Sequence, residues 1–163
     1  MGTNGIMRVL AASLVWAVLA SLPAVAADPL SSLRFLVGSW NCSYQAGKTR
    51  VSYRATYVYD IGNNWLREND SWTHGGSDLG MITYEPKGRQ WIAVVVDNER
   101  STAVFHAGGS NPNHIVYRSA YPTTKLTNVF DRNSPTRYTL HFSGKVGGAS
   151  VKSTDVCTKR KTA

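Results

Sequence analysis

The sequence predicts an all-β fold, a closed antiparallel up-and-down β-barrel of about ten strands with a short N-terminal helical plug. From Ser39 onward the chain shows no helical periodicity and is rich in Val, Thr, Tyr, Trp and Phe, with turn residues about every 8 to 14 positions. The connections are too short for parallel crossovers, so consecutive strands are expected to be antiparallel. The two cysteines fall on the first and last predicted strands, which meet only if the sheet closes.

The N-terminal residues 1–26 have the pattern of a signal peptide. Arg8 supplies the positive charge, 9–22 is a run of apolar and small residues, and 24–26 reads Ala-Val-Ala, a small-x-small cleavage site. The apolar run is short for a transmembrane helix. We therefore expect an exported protein, periplasmic or secreted, that is cleaved near Ala26 and leaves residues 27–163 as one barrel domain.

The predicted plug begins at Asp28-Pro29, where Asp can cap a helical turn and Pro is tolerated at the first helical position. The turn has an apolar side made of Leu30, Leu33, Phe35, Leu36 and Val37, and Gly38 ends it. Turn residues then divide the remainder into ten segments of strand length. The predicted strands are 39–45, 50–60, 64–73, 78–85, 89–97, 101–107, 114–121, 125–132, 136–143 and 149–158.

The two cysteines, Cys42 and Cys157, are predicted to form a disulfide. Export places them in an oxidising compartment, where a pair is most simply a disulfide. Neither has a His or a second Cys at metal-ligand spacing, so no metal site is expected. Two unpaired thiols are the alternative interpretation.

The third predicted strand is unusual because both of its faces mix aromatic and polar residues. One face carries Trp65, Arg67, Asn69 and Ser71, and the other carries Leu66, Glu68, Asp70 and Trp72. The second and ninth predicted strands, by contrast, place apolar and polar residues on opposite faces. A strand with two mixed faces is awkward in a dry core and suits a barrel whose interior is a partly polar cavity.

Two stretches carry a resemblance to known proteins. The helical turn that runs into Gly38-Ser39-Trp40 resembles the Gly-x-Trp signature of the calycin superfamily, which includes lipocalins, fatty-acid-binding proteins and nitrobindin-like proteins. The segment 62–97 also resembles a bacterial family of exported lipocalin-like barrels without an assigned function. Its matching residues are Gly62, Trp65, Leu66, Glu68, Gly80, Tyr84, Pro86, Trp91 and Asp97. The resemblance implies that Trp40 packs across the closed end of the barrel and that the helical turn plugs that end. It also implies that Gly38, the glycine of the signature, has a structural role.

The sequence departs from two families within that group. Intracellular fatty-acid-binding proteins carry an Arg-x-Tyr pair, whereas Arg137 and Tyr138 are adjacent here and should lie on opposite faces of a strand. Nitrobindin-like proteins carry further glycines after the Trp, which are absent here, and a C-terminal proximal His. His141 is the candidate for that histidine, so a haem-binding barrel is an alternative function.

The main functional prediction is a binding barrel for a small apolar or amphipathic molecule, with no assigned cofactor. Its lumen should be lined by aromatic side chains and a few polar groups. The candidates from the strands are Tyr57, Trp65, Arg67, Trp91, His106, Arg118, Phe130 and His141.

Other function classes have weaker sequence support. Glu68 and Asp70 share one strand face and could divide acid and base roles. Alternatively, they could form a solvated outer face whose negative charge is balanced by Arg54 on the neighbouring strand. No nucleophile elbow or phosphate-binding glycine loop occurs, so no enzymatic activity is predicted. The net charge of +8 is spread along the chain, so we expect no nucleic-acid partner. No segment after residue 26 is apolar enough to cross a membrane, so we expect no stable membrane insertion. A structural or partner-binding barrel without a ligand is the remaining alternative.

Overall fold

The barrel fold is confirmed by the computed structural model, which describes residues 28–146 and 148–161. Ten strands form one closed sheet in the order β1-β10-β9-β8-β7-β6-β5-β4-β3-β2, and every neighbouring pair is antiparallel. The strands are β1 (Gly38–Ala46), β2 (Thr49–Asp60), β3 (Trp65–Trp72), β4 (Ser77–Glu85), β5 (Gln90–Asp97), β6 (Thr102–Gly108), β7 (His114–Tyr121), β8 (Thr127–Ser134), β9 (Arg137–Val146) and β10 (Ala149–Lys159).

The strand bounds differ from the predicted ones by at most three residues. The largest difference is at β9, which continues through Gly144 to Val146 because the β9–β10 hairpin is longer than the run of glycines indicates. The predicted signal peptide, residues 1–26, lies outside the described residues. Within the described part of the chain, no helix has the length and apolar character needed to cross a membrane.

The barrel closes between its first and last strands. Cys42 on β1 is directly opposite Cys157 on β10, and the two form a disulfide. Both side chains point into the barrel and are almost fully buried. The predicted disulfide is therefore present, and it lies at the seam of the closed sheet.

One end of the barrel is covered by a 3-10 helix, Pro29–Leu36. The Asp28 carboxylate accepts a hydrogen bond from the amide of Leu30 at 3.1 Å, which caps the helix start. Leu30, Leu33 and Leu36 are all buried against the barrel. Because all three leucines point the same way, this helix gives the barrel an apolar floor.

Gly38 and Trp40 connect this helix to the first strand. Gly38 has φ +119°, a conformation that side chains rarely adopt, and the chain enters β1 there. Trp40 is fully buried, and its indole N–H donates to the carbonyl oxygen of Leu36 at 2.6 Å. The Lys159 ammonium donates to the carbonyl oxygen of Phe35 at 2.6 Å, which fixes the end of β10 to the helix. We call the end of the barrel that is covered by the helix Pro29–Leu36 the closed end.

Candidate functional site

The interior of the barrel contains a cavity of about 60 Å³ above the closed end. We call it the inner cavity. Its wall is mostly apolar, with four polar side chains: Tyr57, Glu68, Tyr117 and Asn128. The apolar side chains along the wall are Leu33, Leu36, Ile82, Ala93, Val94, Val95, Phe105, Ile115, Phe130 and Leu140. A cavity of roughly 150 Å³ holds benzene, so the inner cavity alone accommodates only a few heavy atoms.

A second cavity of about 280 Å³ lies at the opposite, open end of the barrel. We call it the mouth cavity. Val95 lines both cavities, so this side chain stands between them. The mouth wall is again largely apolar, with Ala103, Pro122, Leu126 and Val146 among its residues. Together the two cavities reach the lower end of the range of roughly 300–1,000 Å³ that small-molecule sites occupy.

Glu68 is the carboxyl group on the wall of the inner cavity. It lies on β3, directly between Tyr57 on β2 and Gly80 on β4. A Cβ atom on Gly80 would come within 2.9 Å of Glu68 Oε2, so the missing side chain provides the space that the carboxyl group occupies. The local sequence thus seats an acidic side chain inside the barrel.

The Glu68 carboxyl group is hydrogen-bonded to one of two linked tyrosines. The Tyr57 hydroxyl donates to Glu68, and the hydroxyl oxygens of Tyr57 and Tyr138 are 2.8 Å apart. Burial raises the pKa of Glu68, an effect that the Tyr57 hydrogen bond partly opposes. Burial also raises the pKa of both tyrosines, so both remain protonated donors.

A row of carboxylates crosses the inner face toward the open end. Asp70 on β3 is directly opposite Asp78 on β4, which is directly opposite Asp97 on β5. Like charges in such positions repel each other. The indole N–H of Trp72 compensates Asp78 by donating to it at 2.9 Å. Asp97 instead caps the following turn through the amides at 99 and 101.

Among the residues that the structure describes, two acidic side chains have a buried oxygen without a hydrogen-bond partner, Asp70 and Asp155. Burial, with Glu68 as the next cause, raises the pKa of Asp70 far above its usual range. Burial also raises the pKa of Asp155 to about 6. Both groups therefore hold protons more tightly than they would in water, and neither forms an ion pair with a cation in the described part of the chain.

The acidic groups are concentrated inside the barrel. Five of the ten Asp and Glu residues of the chain lie on the inner face or at its rim: Glu68, Asp70, Asp78, Asp97 and Asp155. In the part of the chain that the structure describes, no Lys, Arg or His lines the inner cavity. The protein thus combines an acidic interior with a net charge of +8.

Three of the predicted lumen residues do lie inside the barrel. Tyr57 and Phe130 line the inner cavity. Trp91 is fully buried near the closed end, with its ring centroid 5.1 Å from that of Tyr84. These three positions keep their status as candidate ligand contacts.

The remaining five predicted lumen residues point outward, and that prediction needs correction. Each alternates with inward-facing neighbours, so its own side chain lies on the outer face. Arg67, for example, forms an outer ion pair with Asp60 at 2.9 Å, next to the inward-facing Leu66 and Glu68. The five residues are Trp65, Arg67, His106, Arg118 and His141.

The position of His141 bears on the haem alternative. Its neighbours on β9, Leu140 and Phe142, point inward, while His141 is exposed and lies 3.1 Å from the hydroxyl of Thr154. A side chain on the outer wall cannot ligate a group inside the lumen.

The interpretation of Glu68 and Asp70 as a solvated outer face is also wrong, because both point inward while Arg54 lies outside.

Sequence reasoning missed Asn128 and Asp155 as inner residues. The disulfide gives the signal for Asp155, because Cys157 points inward and residues two apart share a face. Asn128 could be found in the same way from the buried Phe130. The oxygen of the Asn128 side chain is buried and has no hydrogen-bond partner.

Comparisons with known proteins support the fold and do not identify a family or a function. No protein-family model matches the chain, and no curated protein matches it. An S-type phycobiliprotein lyase from Guillardia theta is similar in structure, with a TM-score of 0.56 and 11% identity over 83% of this chain and 94% of the lyase.

Two further solved barrels have lower similarity. The structure of EF1p2-mFAP2b bound to DFHBI has a TM-score of 0.38 and 13% identity, covering 82% of this chain and 100% of that one. A redesigned β-barrel has a TM-score of 0.38 and 14% identity, covering 78% and 94%.

Proposed function

We propose that this protein is a calycin-type barrel that binds a small, mostly apolar molecule in its lumen. One observation carries the proposal: the apolar inner cavity contains buried polar groups, and Val95 lines both this cavity and the apolar mouth cavity. Concave sites with a few placed polar groups are typical of small-molecule binding. The similar lyase supports the fold of such a barrel and does not identify a ligand.

The shape of the lumen favours a slender ligand. The inner cavity has room for a head group of a few heavy atoms, and the mouth cavity for the larger part of the molecule. The proposal is a binding function, and we propose no reaction for the protein. A haem group, the alternative ligand, exceeds the inner cavity and would lack His141 as an axial ligand.

We also propose that the protein acts outside the cytoplasm. The signal-peptide pattern of residues 1–26 motivates this. The disulfide at the barrel seam is of the kind that persists in oxidising compartments. The mass of the protein recovered from its native cells tests the proposal: a chain beginning near Ala27 supports it, and an uncleaved chain contradicts it.

Narrowing the passage at Val95 tests the binding function. Val95→Phe is expected to weaken binding of the fluorescent probe 1-aminoanthracene at least tenfold, because the larger side chain fills the space between the two cavities. The measurement is a fluorescence titration of the folded variant.

Val96→Phe is the matched control, since Val96 is the next residue on the same strand and points outward. It should bind the probe as the wild type does. Equal affinity of the two variants, or no probe binding by the wild type, would overturn the proposed function.

A further inference from the structure

The polar groups of the inner cavity offer acceptors to a ligand. Glu68 contributes carboxylate oxygens, and Asn128 contributes a side-chain oxygen that is buried without a partner. An unpaired buried acceptor costs free energy that a ligand donor can recover. A ligand that carries N–H donors would therefore satisfy both groups at once.

The hydroxyl groups of Tyr57 and Tyr138 do not offset this excess of acceptors in the inner cavity. Tyr57 already donates to Glu68, and Tyr138 pairs with Tyr57. Their hydrogen atoms are thus committed within the protein, while Glu68 and Asn128 keep acceptor capacity toward the cavity.

Aromatic rings surround these acceptors. Tyr57, Phe105, Tyr117 and Phe130 all line the inner cavity. The faces of aromatic rings carry partial negative charge and attract organic cations when water is excluded. Aromatic walls combined with a buried carboxylate form a suitable environment for a protonated amine.

The acidic side chains around the cavity also favour a positively charged ligand. Asp78 and Asp97 lead from the inner face to the open rim, and Asp155 on β10 lies on the same inner face. Lys145 lines the mouth cavity but is exposed, so solvent screens its charge. A cation entering from the open end would meet an increasingly negative environment.

We propose that the ligand of this barrel is a small organic cation, a protonated primary amine with an apolar body, whose ammonium group binds Glu68 and the Asn128 side-chain oxygen. The proposal rests on the proposed binding function and names its ligand class. The apolar body contacts Ile82, Phe105 and Phe130. A carboxylic acid of the same shape is disfavoured, because its charge repels Glu68 inside the barrel.

The raised pKa of the buried carboxyl groups supports this assignment. Burial without a cation raises the pKa of Glu68, Asp70 and Asp155. A bound ammonium group would offset that penalty, since an opposite charge within a few ångströms favours the ionised carboxylate.

Three probes with the same chain and different head groups test the ligand class: hexylamine, hexan-1-ol and hexanoic acid. Isothermal titration of the wild-type protein at pH 8 should give at least tenfold tighter binding of the amine than of the alcohol, and the weakest binding for the acid. Glu68→Gln should remove the amine preference and retain the alcohol affinity. Glu99→Gln, which removes a carboxylate from an exposed turn, should leave the preference unchanged.

The outcomes separate this proposal from the proposed function. If the alcohol binds the wild type as tightly as the amine, or the acid binds best, the ligand class is wrong while the binding function stands. A persistent amine preference in Glu68→Gln also overturns the assignment to Glu68. If none of the three probes binds, the proposed function fails with it. The wild-type series decides the ligand class even if the Glu68 variant does not fold.

Discussion

Replacing both Cys42 and Cys157 with alanine is expected to lower the free energy of unfolding by about 4–5 kcal/mol. The disulfide closes a loop with a sequence separation of 115 residues, so its removal restores a large amount of chain entropy to the unfolded state. The two sulfur atoms also lie inside the barrel, 3.8 and 3.7 Å from the hydroxyls of Tyr138 and Tyr53. Removing them leaves these hydroxyls facing a small void.

Guanidinium unfolding followed by circular dichroism measures this effect. Asn41→Ala with Thr158→Ala is the matched control, because these residues form the neighbouring cross-strand pair and are exposed. That control should change stability by less than about 1 kcal/mol. An unchanged unfolding midpoint in the cysteine variant would show that the seam contributes little to stability.

Trp40→Ala is expected to cost about 3–5 kcal/mol, the range for removing a large aromatic side chain from a core. Trp40 is fully buried, and its ring lies 4.9 Å from that of Tyr138 and 6.3 Å from that of Phe35. The substitution also removes the indole hydrogen bond to the carbonyl of Leu36. The helix that covers the closed end would lose its main contact with β1.

Trp65→Ala provides the control for this prediction, since it deletes the same side chain from the outer face. Trp65 is only half-buried, so the expected loss is about 1 kcal/mol. Equal losses for the two tryptophan variants in the same unfolding assay would contradict the architectural role of Trp40.

The fold could be predicted from local signals that act at short range. Turn residues such as Gly62-Asn63 and Pro86-Lys87-Gly88 separate segments rich in β-branched and aromatic residues. Short connections then permit only antiparallel neighbours. The positions of Cys42 and Cys157 add the long-range closure, because a disulfide between the end strands requires them to be adjacent.

The candidate site could be predicted only in part, because its composition depends on which face of each strand points inward. On β3 both faces mix aromatic and polar residues, so alternation alone does not distinguish Arg67 from Glu68. The structure resolves this through the neighbouring strands: Gly80 leaves room for Glu68, and Tyr57 donates to it. Those interactions join residues on three strands, which no single segment of the sequence reveals.

Outward-facing histidines and arginines illustrate the same difficulty. His106 lies between Phe105 and Ala107, both buried, so its side chain must point to solvent. A polar residue in the middle of a strand is compatible with either a polar lumen or a solvated surface. Only the burial of its neighbours decides between them.

Methyl chemical shifts test most directly whether the lumen of the barrel accepts a ligand. Hexan-1-ol titrated into protein with labelled isoleucine methyl groups should shift the signals of Ile82 and Ile115, which line the inner cavity. Ile92, on the outer face of β5, and the exposed Ile61 should not respond. Shifts confined to Ile92 and Ile61, or no shift at any of the four, would contradict a ligand-binding lumen.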